Sequence, residues 1–164
     1  WGVNGDCTRH LVDSMEKAGV PKLVYTSTPS VVGTEHDIQC GAQDLPYAEH
    51  FLSPYPESKA AAEKMVVAAN SHHVATVALR PHLIFGPGDD HLIPALLERG
   101  RSGSLRIVGD GQNQAHRPYI DNTAGAHLDA ADALTDHQAA CAGKAYFISN
   151  DEPVEIWDFL NQIF

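Results

Sequence analysis

Tyr55-Pro56-Glu57-Ser58-Lys59-Ala60-Ala61-Ala62-Glu63-Lys64-Met65-Val66-Val67-Ala68-Ala69, followed after a short break by Val74-Ala75-Thr76-Val77-Ala78-Leu79, is the stretch on which the fold turns. From Pro56 to about Asn70 the residues are strong helix formers with no interior Gly or Pro. Pro56 suits the first helical position, where its missing N–H costs nothing. Proline also biases the preceding residue away from the α region, which predicts Tyr55 at the helix mouth. Val74–Leu79 is a short apolar run of the kind buried on both faces of a parallel sheet, and Lys22-Leu23-Val24-Tyr25-Thr26 upstream has the same character. Strand, helix, strand is the βαβ pattern, so the chain reads as α/β, a parallel sheet with flanking helices.

Outward from this unit, residues 4–18 read as a helix with Leu11, Val12, Met15 and Ala18 as its apolar stripe and Gly19 as its stop. Residues 33–54, with Gly33, Gly41, Pro46 and Pro54, read as a long loop, and a loop of that length is usually functional. A short helix is predicted over 91–99 and a strand over Leu105–Val108, stopped by Gly109-Asp110-Gly111. Asp121 is a fair N-cap for a helix over roughly 123–134. Ala145–Ile148 reads as a strand, Asp151-Glu152-Pro153 as a turn, and Ile156–Phe164 as a helix whose Trp157 and Phe159 should pack on structure further along the chain. The predicted division is 1–104, the part of the sheet domain that carries Thr28, Tyr55 and Lys59, and 105–164, a mixed region contributing the substrate side and a further sheet strand.

The 164 residues are 43% hydrophobic and 20% charged, enough for one domain with a real core. A net charge of −10 argues against binding a nucleic-acid backbone, which needs a basic face. No apolar run is long enough for a transmembrane helix. Cys7, Cys40 and Cys141 are odd in number and scattered, which suits a reducing cytoplasm better than a disulfide framework. The ten histidines show no ligand spacing, so no metal site is expected. His72 and His73 should point apart, and Asp129, Asp132 and Asp136 read as a solvated face.

The chemistry concentrates around Tyr55. Tyr55 and Lys59 are one helical turn apart and can address the same spot. A neighbouring ammonium favours the phenolate form of a phenol, and such a pair can exchange a proton with a carbonyl/alcohol couple. The spacing is common by chance, and a surface tyrosine above a solvated lysine would satisfy it too. Ser27, Thr28, Pro29 and Ser30, however, follow the strand at 22–26, and the carboxyl edge of a parallel sheet is where ligands bind. Thr28 could hydrogen-bond a substrate oxygen, Tyr55 could pass it a proton, and Lys59 could support the phenolate and grip a ribose hydroxyl. Ser27 and Thr28 could exchange roles, and either could be a plain turn hydroxyl.

Taken together, LVYTSTPSVV (23–32), YPESKAAAE (55–63), ALRPHLIFGPGD (78–89), VGDGQN (108–113), PYIDN (118–122), AHL (126–128) and GKAYFISNDEP (143–153) resemble the extended short-chain dehydrogenase/reductases. More closely they resemble the 3β-hydroxysteroid dehydrogenase branch, with the sterol-4α-carboxylate 3-dehydrogenases and the bacterial 2-alkyl-3-oxoalkanoate reductases. The resemblance implies a Rossmann-like fold, NAD or NADP as cofactor, and oxidoreduction of a secondary alcohol or ketone on a bulky apolar small molecule. It assigns Thr28, Tyr55, Lys59 and Asn4 to catalysis. It places Thr26, Ser27, Pro81, His82, Leu83 and Ile84, with Tyr55 and Lys59, on the cofactor side, and Ser30, Arg117 and Tyr119 on the substrate side. Arg117 and His116 are then the basic residues available to a substrate carboxylate.

The resemblance also implies a homodimer built on the helices at 5–18 and 56–70, for which Ala60, Ala61, Ala68 and Ala69 offer a small-residue surface. Cys7, His10 and Ala115-His116-Arg117-Pro118 depart from the pattern without removing a catalytic group. The Gly-x-x-Gly-x-x-Gly loop of the family is not in this sequence, and Gly109-Asp110-Gly111 opens no long helix to replace it. The chain is therefore expected to be an internal segment that holds dinucleotide poorly and is inactive by itself. A nucleotide-sugar epimerase or dehydratase on the same scaffold is the alternative reading. A dehydratase would want a carboxylate just after Thr28, where Pro29 and Ser30 stand. A non-catalytic NAD-binding relative is a third, and both Tyr55 and Lys59 are kept against it.

Overall fold

The structure, a computed structural model, describes residues 1–32, 45–107 and 110–163. Its α-helices are α1 (Cys7–Ala18), which a π-helical turn at Gly2–Asp6 leads into, α2 (Pro54–Ala68), α3 (Leu92–Arg101), α4 (Ile120–Ala133) and α5 (Ile156–Ile163). Its strands are β1 (Lys22–Thr26), β2 (Ala75–Pro81), β3 (Gln114–Ala115), β4 (Lys144–Ile148) and β5 (Val154–Glu155). The chain forms two compact units, each drawn from two stretches of sequence: Trp1–Pro81 with Gly125–Ile148, and His82–Ala124 with Ser149–Phe164. The first unit thus takes in β4 and much of α4.

In the first unit the sheet order is β1-β2-β4, all parallel, with Val24 beside Val77 and Leu79 beside Tyr146. Every residue of β2 is buried, as the unbroken apolar run requires. Alternation along the strands sends the two faces to different helices. Ala75, Val77, Leu79, Val24, Tyr146 and Ile148 pack with Leu134 and Ala130 towards α4. On the other face Arg80 meets Glu63 of α2, while Phe147 packs with Val31, Val32 and Ala60.

Local chemistry closes each element. Gly19, at φ 67, ends α1: its N–H bonds Glu16 O and the Val20 N–H bonds Met15 O, a Schellman arrangement. At the far end of α2, Asn70 donates to His137 O at 2.9 Å and accepts from the Thr76 N–H at 3.1 Å, tying helix, strand and loop. Gly143, at φ 67, lies against the Asn70 side chain, where an added Cβ would come within 3.3 Å.

Several expectations need correction. The helix holding Tyr55 begins two residues early, because Pro54 takes the first position after an extended Ser53; Tyr55 is inside the first turn, not at its mouth. The α1 stripe is only half realised, with Met15 buried and Leu11 49% exposed. Ala60 is buried within the chain against Val31 and Val32, so it offers no small-residue surface; Ala68 is exposed. Of the loop at 33–54, residues 33–44 lie outside the described residues; 45–53 carry no regular element, but Leu45, Tyr47 and Phe51 pack against Val31, Val32 and Ala60.

In the second unit Leu105–Ile107 form no strand, and Val108 and Gly109 lie outside the described residues. The antiparallel pair is instead Gln114–Ala115 with Val154–Glu155. Helix α4 starts at Ile120, so Asp121 sits in its first turn and does not cap it. Phe159 packs edge-on to Phe85 within this unit, ring centroids 5.8 Å apart. Asp89 caps α3, accepting from the N–H groups of His91, Leu92 and Ile93 at 2.9 to 3.0 Å. Those bonds hold its carboxyl below the usual value. Among the described residues no helix is long and apolar enough to cross a membrane, and no group of three or more His, Cys, Asp or Glu could hold a metal ion. His72 and His73 do not point apart, since their ring centroids are 3.8 Å from each other.

Candidate active site

At the carboxyl end of β1 the first unit gathers Thr26, Ser27, Thr28 and Ser30 opposite the first turns of α2. Lys59 is half-buried, and its Nζ donates to the Thr26 carbonyl oxygen at 2.6 Å while lying 4.5 Å from the Tyr25 ring centroid. Burial pushes the Lys59 pKa down, and the negative field of Glu63 one turn on opposes it. Tyr25 is pushed up to about 12, first by burial and then by Glu63, so its phenol stays protonated. Tyr55 itself is 55% exposed, open to meet a substrate.

Behind Tyr55 runs a relay that the sequence did not reveal. Asn4 Nδ2 donates to Ser58 Oγ at 3.0 Å, and Ser58 Oγ donates to the Tyr55 carbonyl at 2.8 Å. Asn4 thus braces the turn that carries Tyr55, through a serine three residues along the helix. Ser58 was legible in principle, because position i+3 faces back to the Tyr55 carbonyl.

Thr28 and Ser27 separate clearly. Thr28 is extended and half-exposed; its Oγ1 accepts from the Ser30 N–H at 3.4 Å and donates to Ser30 Oγ at 3.3 Å. Ser27 points inward, its Oγ buried without a hydrogen-bond partner among the described residues, while its N–H extends the ladder to Leu79 O at 2.6 Å. Thr26 Oγ1 shares a 2.8 Å hydrogen bond with His127 Nε2.

Deeper in the same unit lies a buried ion pair. Arg80 Nε donates to both Glu63 oxygens at 3.1 and 3.2 Å, and a terminal nitrogen to Glu63 Oε1 at 2.6 Å. Tyr47 and Phe147 flank the Arg80 guanidinium at 5.7 and 5.2 Å. Neither Glu63 nor Arg80 was singled out from sequence, although both stand at strong positions, two turns after Tyr55 and at the end of β2.

Pro81 is the buried last residue of β2, paired with Ile148. The other predicted residues belong to the second unit. His82 is exposed and its Nδ1–H donates to His116 O at 2.8 Å. Leu83 is exposed and Ile84 half-buried. Tyr119 lies edge-on to Phe85, centroids 5.6 Å apart. The Arg117 guanidinium stacks 3.6 Å from the Phe159 centroid and 5.8 Å from that of Phe85; its Nε is buried without a partner among the described residues, and burial lowers its pKa. Gly86, at φ 148, admits the Ile120 side chain where a Cβ would collide.

The donor set at Lys59 suits a nicotinamide nucleotide. An ammonium has three N–H donors, and among the described residues Lys59 spends one, on Thr26, leaving two for vicinal hydroxyls such as those of a ribose.

Residues 1–164 match the 3-beta hydroxysteroid dehydrogenase/isomerase family along the whole chain. The chain belongs to that family. It is 51% identical over 158 residues to the 2-alkyl-3-oxoalkanoate reductase of Stenotrophomonas maltophilia (strain K279a), covering 95% of this chain and 48% of that protein. To the human sterol-4-alpha-carboxylate 3-dehydrogenase, decarboxylating, it is 38% identical over 166 residues, covering 99% of this chain and 44% of the relative. The family member thus spans about half the length of the curated relatives it matches. Among solved structures it is similar to the dTDP-glucose 4,6-dehydratase from Bacillus anthracis in complex with NAD, with a TM-score of 0.75 at 25% identity over 98% of this chain and 50% of the other. It superimposes on the UDP-glucuronic acid 4-epimerase from Bacillus cereus in complex with NAD with a TM-score of 0.77 at 22% identity, over 95% and 50%. The parallel sheet with flanking helices is therefore the Rossmann-type sheet expected from the sequence.

Proposed function

We propose that the chain is part of an NAD- or NADP-dependent oxidoreductase that interconverts a secondary alcohol and a ketone on a bulky apolar substrate. The observation that carries this reading is Lys59, its ammonium fixed at the carboxyl end of β1 one helical turn after an exposed Tyr55. The bound nicotinamide supplies the hydride acceptor or donor. Tyr55 takes the hydroxyl proton in oxidation and returns it in reduction, and the Thr28 hydroxyl holds the same oxygen. Lys59 offers positive charge where negative charge develops and grips the nucleotide ribose. Asn4, through Ser58, keeps the Tyr55 turn in place. Thr26, Ser27, Pro81, His82, Leu83 and Ile84 are assigned to the cofactor side, and Ser30, Arg117 and Tyr119 to the substrate.

The high identity to a 2-alkyl-3-oxoalkanoate reductase favours a keto-acid substrate over a hydroxysteroid or a 4-carboxysterol. A cytoplasmic homodimer is part of the same reading. The unpaired Cys7 and Cys141 fit a reducing compartment. The test is Tyr55→Phe in the full-length protein: turnover should fall by about 10²–10⁴-fold, and retention of more than about a tenth would overturn the assignment. An epimerase or dehydratase reading would gain only from turnover of a nucleotide sugar with none of a 3-keto acid or hydroxysteroid.

A further inference from the structure

Strand β1 sends side chains towards both α2 and α4. Tyr25 lies on the α2 side, under the Lys59 ammonium. Lys22, Val24 and Thr26 turn the other way: Lys22 Nζ donates to Ala131 O at 3.1 Å, Val24 joins the core against α4, and Thr26 Oγ1 meets His127 Nε2 at 2.8 Å. His127 and Ala131 are one turn apart on α4, so this helix grips β1 at both ends. The residue gripped at the carboxyl end is the one whose carbonyl receives Lys59. The Thr26 carbonyl shares its peptide plane with the Ser27 N–H, which the ladder holds to Leu79 O at 2.6 Å, and the Thr26 side-chain bond to His127 anchors the same residue from the α4 side.

We infer that His127 is a positioning residue, acting from the opposite face of the sheet through Thr26 to set the Lys59 ammonium. It touches neither substrate nor cofactor in this role. The inference rests on the proposed oxidoreductase reading, and it gives a role to the histidine of AHL (126–128), to which the sequence reading assigned none.

The geometry dictates which substitutions should matter. The contacting atom is Nε2, and a glutamine places an amide nitrogen or oxygen at a similar reach, whereas leucine keeps bulk and removes the bond. In the full-length enzyme His127→Leu should lower kcat by about three- to tenfold, the worth of one ordinary hydrogen bond. It should also weaken reduced-cofactor binding, read by nicotinamide fluorescence. His127→Gln should recover most of both. Thr26→Val should reproduce the loss, and Thr26→Val combined with His127→Leu should cost no more than either alone. Equal losses in His127→Leu and His127→Gln, additive losses in the double variant, or a His127→Leu enzyme with wild-type kcat would each overturn the inference. Tyr55→Phe, measured alongside, separates the two levels: if it keeps its turnover the oxidoreductase reading has failed, and if it alone is inactive only the role of His127 has.

Discussion

Glu63 and Arg80 form a fully enclosed pair, a carboxylate on α2 and a guanidinium at the end of β2, with side-chain exposures of 0% and 3%. In such a place the partners depend on each other, because a lone buried charge keeps its desolvation cost after losing its compensation. Glu63→Gln should therefore destabilise the protein by about 3–5 kcal/mol, read by denaturant unfolding. Replacing both, as Glu63→Leu with Arg80→Met, should restore much of that loss. Equal stability of the single and double variants would refute the dependence.

Asp89 gives a pH dependence with a definite sign. Its carboxyl is held below the ordinary value of 3.8 by the N–H groups of Ile93, His91 and Leu92. A depressed folded-state value means the unfolded chain binds the proton more readily, so the cap's contribution is complete above the ordinary value and is lost as pH falls from there through the folded one. The melting temperatures of wild type and Asp89→Ala should differ at neutral pH and draw together only on the acid side, below about pH 4. A gap that persists unchanged at the most acid pH tolerated would show that the effect lies elsewhere.

Arg117 offers a test between candidate substrates of the proposed reaction. If it meets a substrate carboxylate, Arg117→Ala in the full-length enzyme should raise KM for a 2-alkyl-3-keto acid by about ten- to a hundredfold, the scale of a charged hydrogen bond, and leave a plain hydroxysteroid unchanged. An equal loss on both would assign Arg117 to its stacking on Phe159 and Phe85 instead.

Light scattering tests the proposed assembly. The full-length protein should give a dimer mass at micromolar concentration, and a monomer mass there would contradict it. With Ala60 buried inside the chain, Ala60→Leu should act on folding, through overpacking against Val31 and Val32, rather than on assembly.

What the sequence made legible was whatever depends on spacing along one element. The apolar runs at Lys22–Thr26 and Val74–Leu79 announce a sheet covered on both faces, and Tyr55 with Lys59 announces a shared helical face. What stayed hidden depends on approach between distant segments. Nothing in the sequence couples Asn4 to Ser58, fifty-four positions apart, or His127 to Thr26, and Leu105–Ile107 carries strand-like residues without a partner to pair with. The start of α2 was misplaced for a local reason: two prolines compete for its first turn, and Pro54 takes the leading position.

The parity of β1 gives the strand something like a reading frame. Substituting Val24 alters one contact, but deleting one residue between Lys22 and Thr26 would exchange the two faces downstream of the cut. The threonine hydroxyl would turn towards α2 and the aromatic ring towards His127, so that both helices would meet the wrong side chains at once. The constraint on this segment falls on its length more than on its composition. Variants that change residue count by one there should lose the fold, whereas conservative replacements at the same positions should be absorbed.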